Sequence, residues 1–592
     1  MTSPTVSFTK NRTARTERGD ETTRMLCAAA YHDRRFQSLV IRRVLIPHRQ
    51  AVAPSYGFDL VPVVEHAWRA FTLDTVQHAA VLTIFVLAAL QSPSAAITAG
   101  CLLGLWSLSG YASRLAPEVI KRRTRKSVNH FCPWLKYDER PREEWLWTNA
   151  PPRRDLDEQT RRLKHSLYGC GLLMVAPVLS ASIEHTPLHL MAVRALVPLL
   201  LCSAVTVMVG AVRHRSMVIT QEPGPLRPDS LNRRLTAIDL QQTDPIIAYR
   251  RPPPPRRDPD TGAPHLVDLW EDPNFFVGSG QLVHRWLPPL AIQLLRPQTV
   301  DLTKGKKADD MTRRGYVRPP FRADELVTHL RKMMRPIGHS ADPIRLPGYR
   351  IRDRYYVEEA DAQETRRQLA ELGEAAFRRT VVNTHDGKCQ HFLEMRATSS
   401  GELVTTVFVR VTLKGRSLSL DFAACALTRT PPSFHRRARG ARAGGTAAVR
   451  GALAPLQDLP GEVARCWQAL AVLFRLPSYV EAFTKCATRG SAPRFSIREQ
   501  TAAGWQEAAF DEPAILDQMK IIELRLLQVT KDFLRSRNVD TSVFEKRAET
   551  IVSASVLNRG GRVDINNSAV GNNAQVNQNA QASQPSTQKA AK

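Results

Sequence analysis

The fold class the sequence predicts is an α-helical membrane region of two transmembrane hairpins joined to a cytoplasmic α+β domain with an antiparallel or mixed sheet. Three observations predict it. Two long apolar stretches, Thr75 to Ser113 and Ser166 to Val212, are each interrupted by a short polar turn. Basic residues crowd the segments on either side of these stretches and are missing from the turns. Between Leu403 and Ala426, a run rich in Val, Phe and Thr reverses at Lys414-Gly415-Arg416.

The first stretch breaks at Gln91-Ser92-Pro93-Ser94 and the second at Glu184-His185-Thr186-Pro187, with Arg194 as a further interruption. Each half supplies roughly 17 to 20 mostly apolar residues, enough to cross ~30 Å of hydrocarbon at ~1.5 Å per residue. A soluble helical hairpin of that length would carry a polar stripe, and these halves carry none. Four spans follow. The link from Arg114 to Lys164 carries about 14 Lys and Arg, including Lys121-Arg122-Arg123-Thr124-Arg125-Lys126. Positive residues resist translocation, so this link and both termini are expected in the cytoplasm, with only the two turns outside. Within the spans, Gly100 and Gly104 form a GxxxG that lets helix backbones approach, and Pro177 and Pro198 are expected to kink the third and fourth spans.

The domain plan has six parts: 1–70, a basic cytoplasmic N-terminal region with an amphipathic helix; 71–113, the first hairpin; 114–164, the basic link; 165–213, the second hairpin; 214–554, the α+β domain with a proline-rich linker; and 555–592, a polar low-complexity tail. No cleavable leader is expected, because residues 1–24 are polar and lack an apolar core. Arg24 to Arg49 reads as a helix whose stripe is Leu26, Ala30, Phe36, Leu39 and Val40. Such a helix lies on the membrane surface or packs on the later domain. The segment Ala51 to Asp59 reads as a turn leading to the first span.

The formal net charge is +27. Basic loops beside anionic headgroups gain ~1 kcal/mol per residue, so lipid rather than nucleic acid is the expected partner. Arginine outnumbers lysine about four to one, the bias of a high-GC genome. The nine cysteines form no CxxC pair and no zinc spacing. Cys101, Cys170 and Cys202 fall inside the spans, where a thiol packs as a small apolar group. The others lie in parts placed in a reducing cytoplasm, so no disulfide is expected.

Beyond the spans, Pro252 to Pro255 sits in an extended linker, Arg251 to Pro259. His265 to Trp270 reads as a strand, Phe275 to Gly280 as a loop, and Trp286 to Leu295 as a further strand. Lys304 to Lys307 is a basic connector. Asp324 is placed as the N-cap of a helix running to Arg335. Leu403 to Leu413 and Ser417 to Ala426 form a hairpin in which Gly415 supplies a positive φ. Apolar residues occupy both faces of its first strand, so helices are expected on both sides of the sheet.

Arg436 to Gly445 reads as a loop, and Val463 to Phe474 as a helix too short to span, docked on the sheet or on the membrane surface. Ile515, Met519, Ile522, Leu526, Val529 and Phe533 recur at alternating spacings of four and three, a seam for core packing or for self-association through 513–535. Ser542 and Glu545 offer a capping box for a last helix ending near Val552. The tail from Gly560 is rich in Asn, Gln, Ala and Ser; disorder is its default, a stacked-strand assembly element its alternative.

The sequence contains no GxxxxGK[ST], HExxH, GxSxG or kinase-like set. Gly278-Ser279-Gly280 could form an anion-binding nest, and His385, Cys389 and His391 invite a metal reading that lacks a fourth ligand. Glu184 sits in an outer turn, where water reaches it, and Arg194 can snorkel to the same surface. No catalytic, cofactor-binding or metal-binding residue is assigned.

In Met25 to Tyr31, Ala51 to Asp59, Phe276 to Gly280, Leu346 to Arg354, Gly401 to Val409, Asp532-Phe533-Leu534 and Val539 to Ser542, the chain resembles an uncharacterised family of actinobacterial, Streptomyces-type multi-pass membrane proteins. The resemblance implies hydrophobic hairpins with a cytoplasmic α+β domain, and brings no activity or catalytic residue with it. The expected function is that of a non-enzymatic plasma-membrane protein displaying a cytoplasm-facing scaffold or sensor. The alternative is a channel, transporter or pore-forming effector controlled by the cytoplasmic domain. An enzyme reading would need polar residues clustered around the loop at Gly278.

Overall fold

The computed structural model describes residues 20–47, 51–131, 161–175 (without 162, 163 and 167), 187–249, 276–297, 314–382 (without 340, 341 and 343), 389–399, 401–435, 444–484, 495–504 and 508–557. The expected strand at His265, the linker prolines, the Lys304 connector, Pro177, Glu184 and the tail from Gly560 lie outside these residues.

Three elements open the chain: α1 (Asp20–His32), α2 (Arg34–Val40) and a π-helical turn, Ile41–Leu45. Asp33 caps α2, accepting from the Arg35 and Phe36 amides at 2.8 and 3.1 Å. The predicted stripe is spent inside the protein. Leu26, Ala30, Phe36 and Val40 are buried and pack on Leu60, Val61 and Val64 of α3 (Leu60–Gln91) and on Ile238 of α6 (Arg233–Thr243). Of the two expected places for this segment, packing on the rest of the molecule is the one observed.

Helix α3 is 32 residues long, ~48 Å at ~1.5 Å per residue. Its first half, from Leu60 to Val81, presents a buried face, whereas Val86, Leu87 and Leu90 are exposed. The expected span beginning at Thr75 is therefore the second half of a helix that starts fifteen residues earlier. Asp74, the charged residue that bounds the apolar run in sequence, is buried within this helix and pairs with Arg213, while Glu65 and Arg69 form an i,i+4 ion pair nearer its start. Ser92 breaks the helix, and α4 (Pro93–Phe131) carries on through the basic run Lys121 to Lys126. A further helical stretch includes residues 168–175. Helix α5 (Leu188–Gln221) continues without interruption past Pro198.

By length and composition, two described helices could cross a membrane: Leu60–Gln91 and Val193–Gln221 within α5, with mean hydropathy 1.7 and 2.4. Helix α4 packs beside both. In the GxxxG, a Cβ on Gly104 would lie 2.9 Å from Leu173, so that glycine admits the third hydrophobic segment. Gly100 faces open space.

The described sheet has seven strands: β1 (Ile246–Tyr249), β2 (Gln281–Arg285), β3 (Leu290–Gln293), β4 (Arg350–Glu358), β5 (Cys389–Ser399), β6 (Leu403–Lys414) and β7 (Ser417–Leu427). Their order is β1-β4-β5-β6-β7-β2, with β3 also on β7. Only the pairing of β1 with β4 is parallel, so the sheet is mixed. The β6–β7 hairpin closes at Lys414↔Ser417 over Gly415, whose φ is +56°, as the turn chemistry requires.

Of the strand expected from Trp286 to Leu295, only Leu290–Gln293 is regular strand, with Leu295 bridged to Gly315, and β2 precedes it. β2 and β3 lie end to end along β7, separated by a corner at Trp286 to Pro289. There the Trp286 indole stacks on Phe422, with ring centroids 4.9 Å apart. Its Nε1 donates to Glu523 at 2.7 Å.

Helices cover one face of the sheet. Helix α7 (Ala323–Met334) and α14 (Glu512–Ser536) bury Leu326, Leu330, Met519, Ile522, Leu526 and Phe533 against Leu393, Met395, Val407, Val409, Leu420 and Phe422. The heptad-like seam is thus core, and self-association through 513–535 would have to use another face of α14. Asp324 lies one residue inside α7, whose N-cap is Arg322; the Glu325 carboxylate accepts from the Arg322 amide at 3.3 Å. Helix α8 (Ala362–Leu372) flanks the β1–β4 edge, and α9 (Glu374–Val382) packs on β5, β6 and α7. The final helix, α15 (Ser542–Leu557), runs past Val552, and it is Thr541 that contacts Glu545 at 2.9 Å.

Among the described residues, no helix lies flat on the other face. It holds Tyr356, Val404, Phe408, Cys425 and Leu427, covered by Tyr56 and by Phe276, which stacks on Phe408 at 4.0 Å. Ala51 to Asp59 is therefore part of the core, not a simple lead-in to the span.

From Gly445 the chain returns to the long apolar helices as α10 (Gly445–Leu453), a 3-10 turn (Ala454–Asp458), α11 (Leu459–Ala464) and α12 (Gln468–Thr484). The helix expected from Val463 to Phe474 is broken at Arg465 to Trp467 and extended to Thr484. A short α13 (Ile497–Thr501) then docks at the sheet edge.

Candidate functional site

The densest polar cluster near the apolar helices is assembled from four elements. Asp74, Gln77 and His78 stand at i, i+3 and i+4 on α3, so they share one face. Helix α5 brings Arg213, which pairs with Asp74 and donates to Gln77 Oε1 at 2.9 Å. Helix α2 brings Arg34, with Nε 3.7 Å from Asp74 and Nη2 2.5 Å from Glu462 of α11. His78 Nε2 lies 3.3 Å from the same carboxylate, and Arg465 closes the outer side at 3.3 Å. Asp74, Gln77, His78 and Glu462 are all at most 8 % exposed.

Its electrostatics follow from burial opposed by pairing. Burial alone would raise the Glu462 carboxyl. Hydrogen bonds from His78 and Arg34, and the charge of Arg465, instead lower it to about 2. Arg34 responds in the opposite sense: burial disfavours its charge, and Glu462 and Asp74 more than restore it. The cluster is an ion-paired joint between the N-terminal helices, the two apolar helices and α11.

A second buried cluster ties the start of α3 to the sheet. Arg354 Nε donates to Glu394 Oε2 at 2.5 Å and its Nη1 donates to the Asp244 carbonyl at 2.6 Å. The Tyr56 hydroxyl donates to Glu394 at 3.1 Å, and Arg354 and Arg396 each lie 6.0 Å from its ring centre. Burial would raise the Glu394 carboxyl, but Arg354 and Arg396 hold it below the usual range. Asp59 caps α3 at 3.2 Å from the Val61 amide, while Gln242 donates to Asp59 at 2.8 Å and accepts from the Leu60 amide at 3.1 Å. Sheet and cap are thereby tied to the foot of α3.

The Gly278 loop does form a nest, and the protein fills it. Gly278 and Gly280, at φ +100° and +96°, donate to Glu499 Oε1 at 2.7 and 2.9 Å. Beside it, the buried Arg498 donates to the Glu402 and Thr428 carbonyls at 3.0 and 2.6 Å. The loop thereby clasps α13 to the sheet edge. In the histidine–cysteine group, His391 Nε2 lies 2.9 Å from Asp353, which also accepts from Arg331 at 2.7 Å. Cys389 is half-buried, and His385 lies outside the described residues. Among the described residues, no three His, Cys, Asp or Glu are grouped to hold a metal ion. Arg194 is exposed on α5.

Sequence reasoning overlooked Asp74, Gln77, His78, Arg213 and Glu462. The available signal was positional: titratable residues at the adjoining ends of the first and last apolar segments.

A mixed seven-stranded α+β region joined to two helices apolar enough to cross a membrane defines the architecture. Residues 289–567 match the family described as AbeC-like domain, from β3 through α15. The match takes in α10 to α12, which pack on helices that lie outside it. No curated protein and no solved structure matches the chain.

Proposed function

We propose that this protein is a non-enzymatic, multi-pass plasma-membrane protein whose α+β domain is a cytoplasm-facing scaffold or sensor rigidly coupled to its spans. The observation that carries the reading is α3. One helix is buried at its start against α1, α2 and α6 and exposes Val86, Leu87 and Leu90 at its end. A signal or load on the domain would reach the bilayer through a continuous rod, because the Asp59 cap and the Asp74–Arg213 pair restrain both its foot and its middle.

The alternative, a channel, transporter or pore-forming effector, is favoured by one feature. Buried ionisable residues between membrane helices often mark ion paths. Here, however, Asp74 and Glu462 are each held by arginine. Flux assays on the purified full chain in anionic proteoliposomes separate the two. The scaffold reading expects no flux above protein-free vesicles, and robust ion or solute flux abolished by Asp74→Asn would establish the alternative. Extraction of the protein from native membranes by alkaline carbonate would overturn both.

A further inference from the structure

From Gly445 to Thr484 the chain does something its position after the sheet does not explain. Helix α10 lies along α5 through two close approaches. A Cβ on Gly210 would fall 2.7 Å from the Ala452 carbonyl, and one on Gly451 would fall 2.3 Å from His214 Nδ1. The chain then climbs. Leu459 is 1 % exposed among Val81, Leu103 and Cys202, with Phe85 and Leu199 against the same cluster. Leu103 lies ten residues from the start of α4, and Phe85 lies six from the end of α3, so this is the middle of the apolar segments. Helix α12 then leads back: Tyr479 and Phe483 pack on Trp68 at 5.7 and 4.9 Å, below the first charged residue of the joint.

The outer face of this excursion is apolar and open. Trp467, Leu470, Leu473, Phe474 and Val480 are 60, 47, 63, 85 and 54 % exposed, while Ala469, Tyr479 and Ala482 on the inner face are buried. In water such a face would be costly, at roughly 25 cal/mol per Å². It continues the exposed apolar surface of α3 and α5, whose Val86, Leu87, Met208 and Val212 are likewise open. Of its charges, Glu462 is neutralised by Arg34 and His78 and Arg465 by Asp458 at 2.6 Å, while Arg475 is exposed beside Phe474, where its long side chain can snorkel to the headgroups. Its backbone turn at Ala454 to Asp458 packs on α5, the condition under which non-helical chain is tolerated at membrane depth.

The geometry points to residues 445–484 as a re-entrant helical hairpin that enters the cytoplasmic leaflet and returns, with lipid acyl chains covering α12. This inference rests on the membrane reading proposed above. Ten to fourteen apolar residues are too few to span and suited to such a segment.

Nitroxide labels on single cysteines at Phe474, Val86 and Arg367, in the full chain in liposomes, test it by collision with oxygen and with a water-soluble nickel chelate. Phe474 is expected to lose nickel accessibility and gain oxygen accessibility, matching Val86, while Arg367 behaves oppositely. Nickel accessibility at Phe474 equal to that at Arg367, with Val86 still lipid-like, would overturn the hairpin and leave the spans standing. Nickel accessibility at Val86 itself would overturn the membrane reading and the hairpin with it. Protection of Phe474 from both reagents would mean protein covers α12, and would also overturn the hairpin.

Discussion

Single residues divide here into those whose partner is charge and those whose partner is space. Glu394 is the clearest of the first kind, since Arg354, 3 % exposed, has its ion-pair partner there. Glu394→Ala would strand that guanidinium, a loss of about 3 to 5 kcal/mol. Denaturant unfolding of the detergent-purified chain should show it, and a change under about 1 kcal/mol would remove the cluster from the stability argument. Glu462 adds a pH dependence with a definite sign. Its folded-state value is depressed, so its contribution is complete above about 4.5 and lost as pH falls toward about 2. Glu462→Gln should flatten that part of the melting-temperature curve, and an identical acid limb in both proteins would contradict the joint. Gly280 is of the second kind. A Cβ there would lie 2.0 Å from the Ala426 carbonyl at φ +96°, whereas one on Gly100 would meet nothing within 4 Å. Gly280→Ala is expected to lower the melting temperature by several degrees, and Gly100→Ala to leave it unchanged within ~0.5 kcal/mol.

Among the elements, α14 and α3 show how far periodicity carries. The four-three spacing of Ile515 to Phe533 gives one apolar face, and every one of those six residues is buried. Leu526→Asp would set an unpaired carboxylate against the sheet at a cost of several kcal/mol. An isolated shift in oligomeric state with unchanged melting would instead place the seam at an interface. The charge-free run misplaced the foot of α3, because Asp74, which bounds it, is paired with Arg213 inside the fold and lets the helix run through. A proline at Thr75 would cut the rod at its centre, costing ~3 kcal/mol. Spin-label distances between Val86 and the sheet domain should then broaden. A distribution as narrow as the parent's would show that α3 does not couple the two.

For the whole molecule, the charge of the loops sets the orientation expected of it. Centring one charge in hydrocarbon costs ~2.5 to 3.5 kcal/mol on insertion scales, and the link between the hairpins carries about 14 basic residues. Single cysteines at Gln91, exposed in the first turn, and at His185 should react with an impermeant thiol reagent on intact spheroplasts, and one at Ser127 should react only after lysis. Labelling of Ser127 in intact cells, or protection of both turns, would overturn the four-span orientation.

Some of this was legible because it depends on neighbours a few residues away. The β6–β7 hairpin is written in Gly415 and the run of Val, Phe and Thr beside it, the seam in its spacing, and the apolar helices in their length. Each obeys a local rule that no distant contact can easily reverse. Tertiary structure decided what depends on residues far apart: the parallel pairing of Ile246–Tyr249 with β4, and the corner at Trp286 held by Glu523. It also decided the burial of the N-terminal stripe and the meeting of Arg34 with Glu462 across 428 positions. A lone buried charge looks in sequence like any surface charge. Its role is set by the partner that removes the desolvation cost, and only the folded chain brings that partner within reach.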